Sequence, residues 1–272
     1  MKGILKGQIQ SKAAEPPGSW FGLRFGEKGT HTSRTMMFDE LSELLQHCPL
    51  PATTPDEFRA VIVADNALGK RTLATRKLTF QRLSELYGLD PAVPIFRVLR
   101  RLWDKDRAGR PMLAFLVAYA RDPLLRATAG PMLRLAAGQP VTTAMLDQEL
   151  SVRLGSRLNP AVRHKVARNA GSSWTQSGHL AGRGKKVRTT PQVTPPVVAM
   201  AILLGTVAGA HGRVVFLSEY AALLDCPSSR ISPLLQEAHR VGVMNFKQAG
   251  EIIEVRFPDL LTESEEARIN GI

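Results

Sequence analysis

Between Ser151 and Thr190 the chain carries nine basic side chains and no carboxylate: Arg153, Arg157, Arg163, Lys165, Arg168, Arg183, Lys185, Lys186 and Arg188. Glu149 is the last acid before this stretch and Glu219 the first after it, with Arg213 the only further base between them. Ten uncompensated charges in one block, within a chain of net charge +12, form what a polyanion meets as a binding surface. Phosphate backbones are the commonest such partner, and neutralising them releases condensed counterions. Gly178, Gly182 and Gly184 turn or loosen the backbone around Arg183, Lys185 and Lys186. Ser172, Ser173, Thr175, Gln176 and Ser177 add neutral donors, and Trp174 an aromatic face that stacks a base or anchors the core. The alternative is a solvated basic linker without a ligand, although a merely solvated surface usually mixes both signs.

Bond-making chemistry finds little support in the spacing. The six histidines (His31, His47, His164, His179, His211 and His239) form no HExxH and no Cys/His zinc pattern. A phosphate-cradling loop needs a glycine five residues before Gly-Lys. Gly69-Lys70 has Ala64 there, and Gly184-Lys185 has His179. Asp65, Asp104 and Asp106 read as helix-end and loop carboxylates. No catalytic residue, metal or cofactor is expected, and a non-enzymatic protein is the better expectation.

The elements that must position the basic stretch are helical. Met37, Leu41, Leu44 and Leu45 repeat at helix spacing behind the capping types Ser33 and Thr35. Pro55-Asp56-Glu57 opens a second helix, and Thr72–Tyr87 gives a third with Leu73, Leu78, Leu83, Leu86 and Tyr87 on its apolar side. After Asp90-Pro91 a helix buries Ile95, Val98, Leu99 and Leu102 and turns Arg97, Arg100 and Arg101 outward, where they extend a phosphate-binding face or are merely solvated. Pro111–Tyr119 is apolar all round and belongs at the centre of a bundle. Asn159-Pro160 starts a helix through Val162, Val166 and Ala170 that carries Arg163, Lys165 and Arg168 on its sides. No alternating strand is legible before residue 212.

The C-terminal part changes pattern: helix (Pro196–Ala210), short strand (Arg213–Leu217), helix (Glu219–Leu224), helix ending at Arg240, and a hairpin from Val243–Lys247 and Glu251–Phe257. That is the order of a winged helix-turn-helix. Ile231, Leu234, Leu235 and Ala238 then face the core, leaving Ser229, Arg230, Ser232, Gln236 and Arg240 toward a DNA groove. Pro233 fits if that helix begins near Ser232. The expected class is mainly α. Its divisions are a basic flexible arm (1–32), a helical bundle (33–158), a basic helix with a Gly/Lys/Arg linker (159–194), a winged-helix-like module (195–260) and a fraying acidic tail (261–272).

The two distant cysteines, Cys48 and Cys226, exclude a disulfide framework and suit reduced thiols. MKGILKGQIQ lacks the apolar core of a secretory signal, and Val197–Ala210 is too short to span a bilayer. A cytoplasmic protein without a membrane partner is expected.

The helical N-terminal half around DNALGKRTLATRKLTFQRLSEL (Asp65–Leu86), followed by further helices and a basic body, resembles BrxA, the small helical protein of BREX phage-defence cassettes. The resemblance covers about two thirds of the chain and includes no catalytic signature. It implies a non-enzymatic, DNA-binding accessory of a bacterial antiphage system that acts beside other defence proteins, and it assigns no binding residue. From the charge pattern, the expected nucleic-acid contacts are Arg163, Lys165, Arg168, Arg183, Lys185, Lys186 and Arg188, with Ser229, Arg230, Gln236 and Arg240 from the module. Double-stranded DNA is the expected partner, with RNA open. A protein-interaction scaffold and a winged-helix repressor are the competing functions.

Overall fold

The computed structural model describes residues 15–271 and is mainly helical, as the periodicity requires. Expectations for residues 1–14 lie outside the described residues. From residue 15 to 32 the expected loose arm is instead packed: Phe21 and His31 are fully buried, and Leu23 nearly so. The large apolar side chains at 21 and 23 outweigh the Gly and Pro around them.

Helix α1 (Phe38–His47) begins behind Met37, whose φ of 54° is left-handed, and not at Ser33 or Thr35. Helix α2 (Pro55–Arg59) opens with a reciprocal Thr54–Glu57 capping box and runs on as a π-turn over Ala60–Ala64. Helix α3 (Leu73–Tyr87) is capped by Thr72, and α4 (Pro94–Trp103) follows. Helix α5 (Arg110–Arg121) buries every side chain from Met112 to Ala120. It touches α3, α4, α6 (Pro123–Arg126) and two helices later in the chain, so the expected central helix is central. The arginines expected to face outward from α4 are engaged. Arg97 pairs with Glu265, buried Arg100 donates to the carbonyls of Cys48 and Pro49, and Arg101 donates to Asp259 O.

After α7 (Ala129–Arg134) comes a small sheet that periodicity could not reveal. β1 (Pro140–Val141) and β2 (Leu180–Ala181) flank β3 (Lys186–Arg188) in antiparallel pairing, and strands of two or three residues are too short to show alternation. Helices α8 (Thr143–Leu154) and α9 (Pro160–Gln176) pack on each other between β1 and β2. The basic helix expected from Asn159 is α9, which buries Val166, Ala167, Ala170 and Trp174, and the stretch expected as a Gly/Lys/Arg linker is ordered as β2 and β3, with Leu180 and Arg188 buried.

Helix α10 (Pro195–Val207) is buried from Pro196 onward and contacts α5, α11 (Glu219–Ala222) and α12 (Ser228–Arg240). One contiguous hydrophobic core thus runs from Phe21 to Ile269. The expected strand at 213–217 is a 3-10 turn (Gly212–Leu217), although it still lies against the hairpin of β4 (Asn245–Ala249) and β5 (Ile252–Arg256). Helix α12 starts at Ser228, so Pro233 sits inside it and gives no N–H to Ser229 O. The acidic tail does not fray: α13 (Glu263–Asn270) has a Thr262–Glu265 capping box and docks Glu265 on Arg97 of α4. No helix among the described residues is long and apolar enough to cross a membrane.

Candidate functional site

The helices α8 and α9 form an antiparallel pair because each has its own start signal and only a short turn between them. Thr142 Oγ1 accepts from Met145 N at 3.2 Å, and Asn159 Oδ1 accepts from Val162 N at 2.9 Å ahead of Pro160. Arg163 of α9 reaches back to Asp147 of α8 at 3.1 Å. Beyond α9, Gly182 (φ 98°) starts the turn from β2 to β3, where a Cβ would stand 2.1 Å from Lys185 O. That turn brings Arg183, Lys185 and Lys186 back beside Arg168 and Ser172 of α9.

The result is an open cleft of about 680 Å³. Its walls are Pro140–Thr143 at the start of α8, Arg168, Asn169 and Ser172 of α9, and Arg183–Lys186 of the turn. Four cations line it, and none of the four has an ion-pair partner among the described residues. Arg168, Arg183 and Lys185 are exposed. Lys186 is half-buried, its stem laid along Gly171 and its Nζ donating to Thr175 Oγ1 at 2.7 Å. Burial without a counter-ion pushes its ammonium below the usual lysine range. A second depression, lined by Asp147, Pro160, Ala161, Arg163, His164, Lys165 and Arg168, shares Arg168 and extends the basic face along α9.

Other expected contacts are differently placed. Arg163 faces the second depression but is neutralised by Asp147, whereas Lys165 is exposed. Arg188 is not a surface cation. Only 2 % exposed, it pairs with Asp225 Oδ2 at 2.7 Å and donates to the carbonyls of His179, Thr189 and Leu135. Lys186 and Arg188 share one face of β3, and that face turns inward. Arg153 and Arg213 are also paired, with Glu149 and Glu251, so the block is not wholly uncompensated. Trp174 is fully buried, donates to Thr128 Oγ1 at 2.9 Å, and stacks no ligand.

In the C-terminal module, Ile231 and Leu234 are partly buried and Leu235 and Ala238 fully so, leaving Ser229, Arg230, Ser232, Gln236 and Arg240 exposed as the pattern required. Arg240 pairs with Glu237. On the hairpin, Asn245, Lys247, Glu254 and Arg256 line one recess, with Arg256 bonded to Glu254 at 2.6 Å. The charge there is mixed, unlike the cleft.

One constellation had no sequence signal, because its members lie at 31, 122 and 173. His31 Nδ1 is 2.8 Å from Asp122 Oδ2, and its Nε2 is 2.8 Å from Ser173 Oγ. This is the connectivity of a Ser–His–Asp relay. All three residues are buried, however, and Ser173 Oγ already accepts from Met36 N at 2.8 Å. Asp122 meanwhile caps α6 through Leu124 N and Leu125 N. Buried and bonded in this way, the set ties residues 31–36 to α6 and α9.

No protein-family model matches the chain, and no curated protein matches it.

Proposed function

We propose that the protein binds double-stranded DNA without catalysing a reaction, holding the phosphate backbone with Arg168, Arg183, Lys185 and Lys186 and, along α9, with Lys165. The observation that carries this reading is the convergence of four cations from α9 and the β2–β3 turn on one cleft with no carboxylate among its lining residues. Buried cations elsewhere in the molecule have acceptors, as Arg188 and Arg100 do, and the cleft differs in gathering four cations with no acid beside them, as an external anion requires. Duplex is favoured over single strands because no aromatic face lines the cleft, and strand binders stack bases on aromatic side chains. Helix α12 offers Arg230, Ser229 and Gln236 as a secondary contact. The likeness of Asp65–Leu86 to BrxA supplies the setting: an accessory role in a bacterial antiphage system, beside other defence proteins.

The test is a mobility shift of duplexes of unrelated sequence across a salt series, with Arg168→Glu/Arg183→Glu/Lys185→Glu as the variant. The wild type should bind all duplexes with a steep salt dependence. The variant should weaken binding on every sequence alike and lower the slope of log K against log salt by about 2–3, near 0.9 per lost phosphate contact. Unchanged binding by the variant removes the site. Parallel arms with single strands and RNA fix the class of nucleic acid.

A second reading has its own observation. Leu217, Ile252 and Val214 are 83, 74 and 59 % exposed where the 3-10 turn meets β5, beside the mixed-charge hairpin. Exposed apolar side chains on two touching elements suit a protein contact. On that view the C-terminal module is the scaffold-like part, and pull-downs that survive nuclease treatment are its check.

A further inference from the structure

We propose that the cleft takes a terminal phosphate monoester, the phosphorylated end of a DNA strand, rather than an internal phosphodiester. The assignment rests on the cleft being the phosphate-holding surface proposed above, and it names which phosphate that surface prefers.

A cleft of about 680 Å³ falls within the range of about 300–1,000 Å³ typical of small-ligand sites, and it does not take in a duplex. A volume of that size suits the end of a strand better than a continuous duplex. The donors also converge from three directions. Arg168 comes from α9, Arg183, Lys185 and Lys186 from the turn, and Thr142 and Thr143 from the start of α8. In the first turn of α8 the amide of Thr143, which lines the cleft, has no carbonyl to bond within the helix. No acid lies in the first turn of α8 to oppose an anion. Donors from three elements match the three free oxygens of a monoester, whereas a diester offers two and needs two exits for the chain.

Charge points the same way. Four unpaired cations around one small volume repel each other, and Lys186 is held there half-buried with only neutral acceptors. A diester brings one negative charge. A phosphate monoester brings about 1.5–2 near pH 7, because its second ionisation lies near pH 6. The charged groups facing the bound phosphate are Arg168 from α9 and Arg183, Lys185 and Lys186 from the turn. Residues 140–143 supply none, and no histidine lines the cleft among the described residues. Any pH dependence of the preference between pH 5 and 7.5 is then the ligand's own.

The experiment compares one internally labelled duplex with 5′-phosphate or 5′-hydroxyl ends, competed by a closed circular duplex and by a nucleoside 5′-monophosphate. Binding is read by fluorescence anisotropy on the full chain. The expected result is at least fivefold tighter binding of the phosphorylated end at pH 7.5. That gap should narrow below pH 6 and close in Arg183→Gln/Lys185→Gln, whose two positions are exposed. Equal affinity for both ends, with the circle competing as well as either, overturns the inference while leaving backbone binding in place. Mononucleotide competing as strongly as the phosphorylated end overturns the strand-end assignment in favour of a free nucleotide. Failure of every duplex to bind removes the DNA-binding reading itself.

Discussion

Lys186 and Arg188 stand two residues apart on one face of β3 and meet opposite surroundings. Arg188 finds Asp225 and three carbonyls, whereas Lys186 finds a hydroxyl and a carbonyl at the edge of the cleft. Both looked alike as charges in a basic run, and only the partner across space separates them. His179 shows the same limit. In the sequence it stood in a glycine-rich basic loop. Folded, it is buried with Nε2 donating to Leu223 O at 2.8 Å and its ring packed on Phe115 and Trp174. Burial pushes its pKa down to about 4, with nearby Arg188 adding to the effect against the Leu223 hydrogen bond and Asp225. Unfolded, the imidazole takes its proton near pH 6.5. The unfolded state therefore binds more protons between about 6.5 and 4, and stability falls as the pH drops through that window. The loss should reach roughly 3 kcal/mol by pH 4, since a tenfold difference in proton affinity is worth about 1.4 kcal/mol. In His179→Gln, which keeps a donor for Leu223 O, that portion of the acid sensitivity should vanish in urea titrations at pH 7.5 and 4.5. An unaltered acid loss in the variant would move its origin elsewhere.

At the scale of elements, the helices were legible because each carries both a period and a boundary. Asn159 caps where a helix start was expected, Thr72 stands at the expected start of α3, and α5 and α10 are buried as their unbroken apolar runs required. The sheet β1–β3–β2 was not legible, since its strands hold two or three residues each and one of its two pairings, Pro140 opposite Val187, joins segments far apart in the chain. The acidic C-terminus misled for a different reason. Glu263, Glu265 and Glu266 suit a solvated tail by composition but also the first turn of a helix, and it was Arg97, far away in sequence, that decided. Glu265 both caps α13 and pairs with Arg97. Burial raises its carboxyl, but the hydrogen bonds from Arg97 and Thr262 outweigh that and hold it below the usual range. Replacing it with Ala should cost about 1–2 kcal/mol, a lost cap plus a partly exposed ion pair. Chemical denaturation checks the magnitude, and amide exchange should show α13 opening before the rest. A cost near zero would return the segment to the status of a loose tail.

Over the whole molecule, the net charge of +12 is not spread as a neutral surface would spread it. Most basic side chains near the core find acids or carbonyls, and the cleft gathers cations that do not. Such a site is a local strain on the empty protein, which sacrifices some stability to hold like charges together for a ligand. Filling the cleft and removing its charges should therefore both relieve that strain, by different routes. Anything that binds the folded state stabilises it by RT ln(1 + [L]/Kd), about 2.7 kcal/mol at a hundredfold excess over Kd. At about 2–4 °C per kcal/mol for a chain of this size, saturating duplex or pyrophosphate at low salt should raise the melting temperature by about 5–10 °C. In Arg168→Gln/Arg183→Gln/Lys185→Gln that rise should disappear, because the ligand has lost its counter-charges. The unliganded variant should melt no lower than the wild type and, as repulsion around Lys186 is relieved, somewhat higher. Scanning calorimetry with and without ligand reads both quantities in one series. A variant that melts several degrees below the wild type would mean that these cations hold the fold together, and the cleft would then be architecture rather than a binding surface.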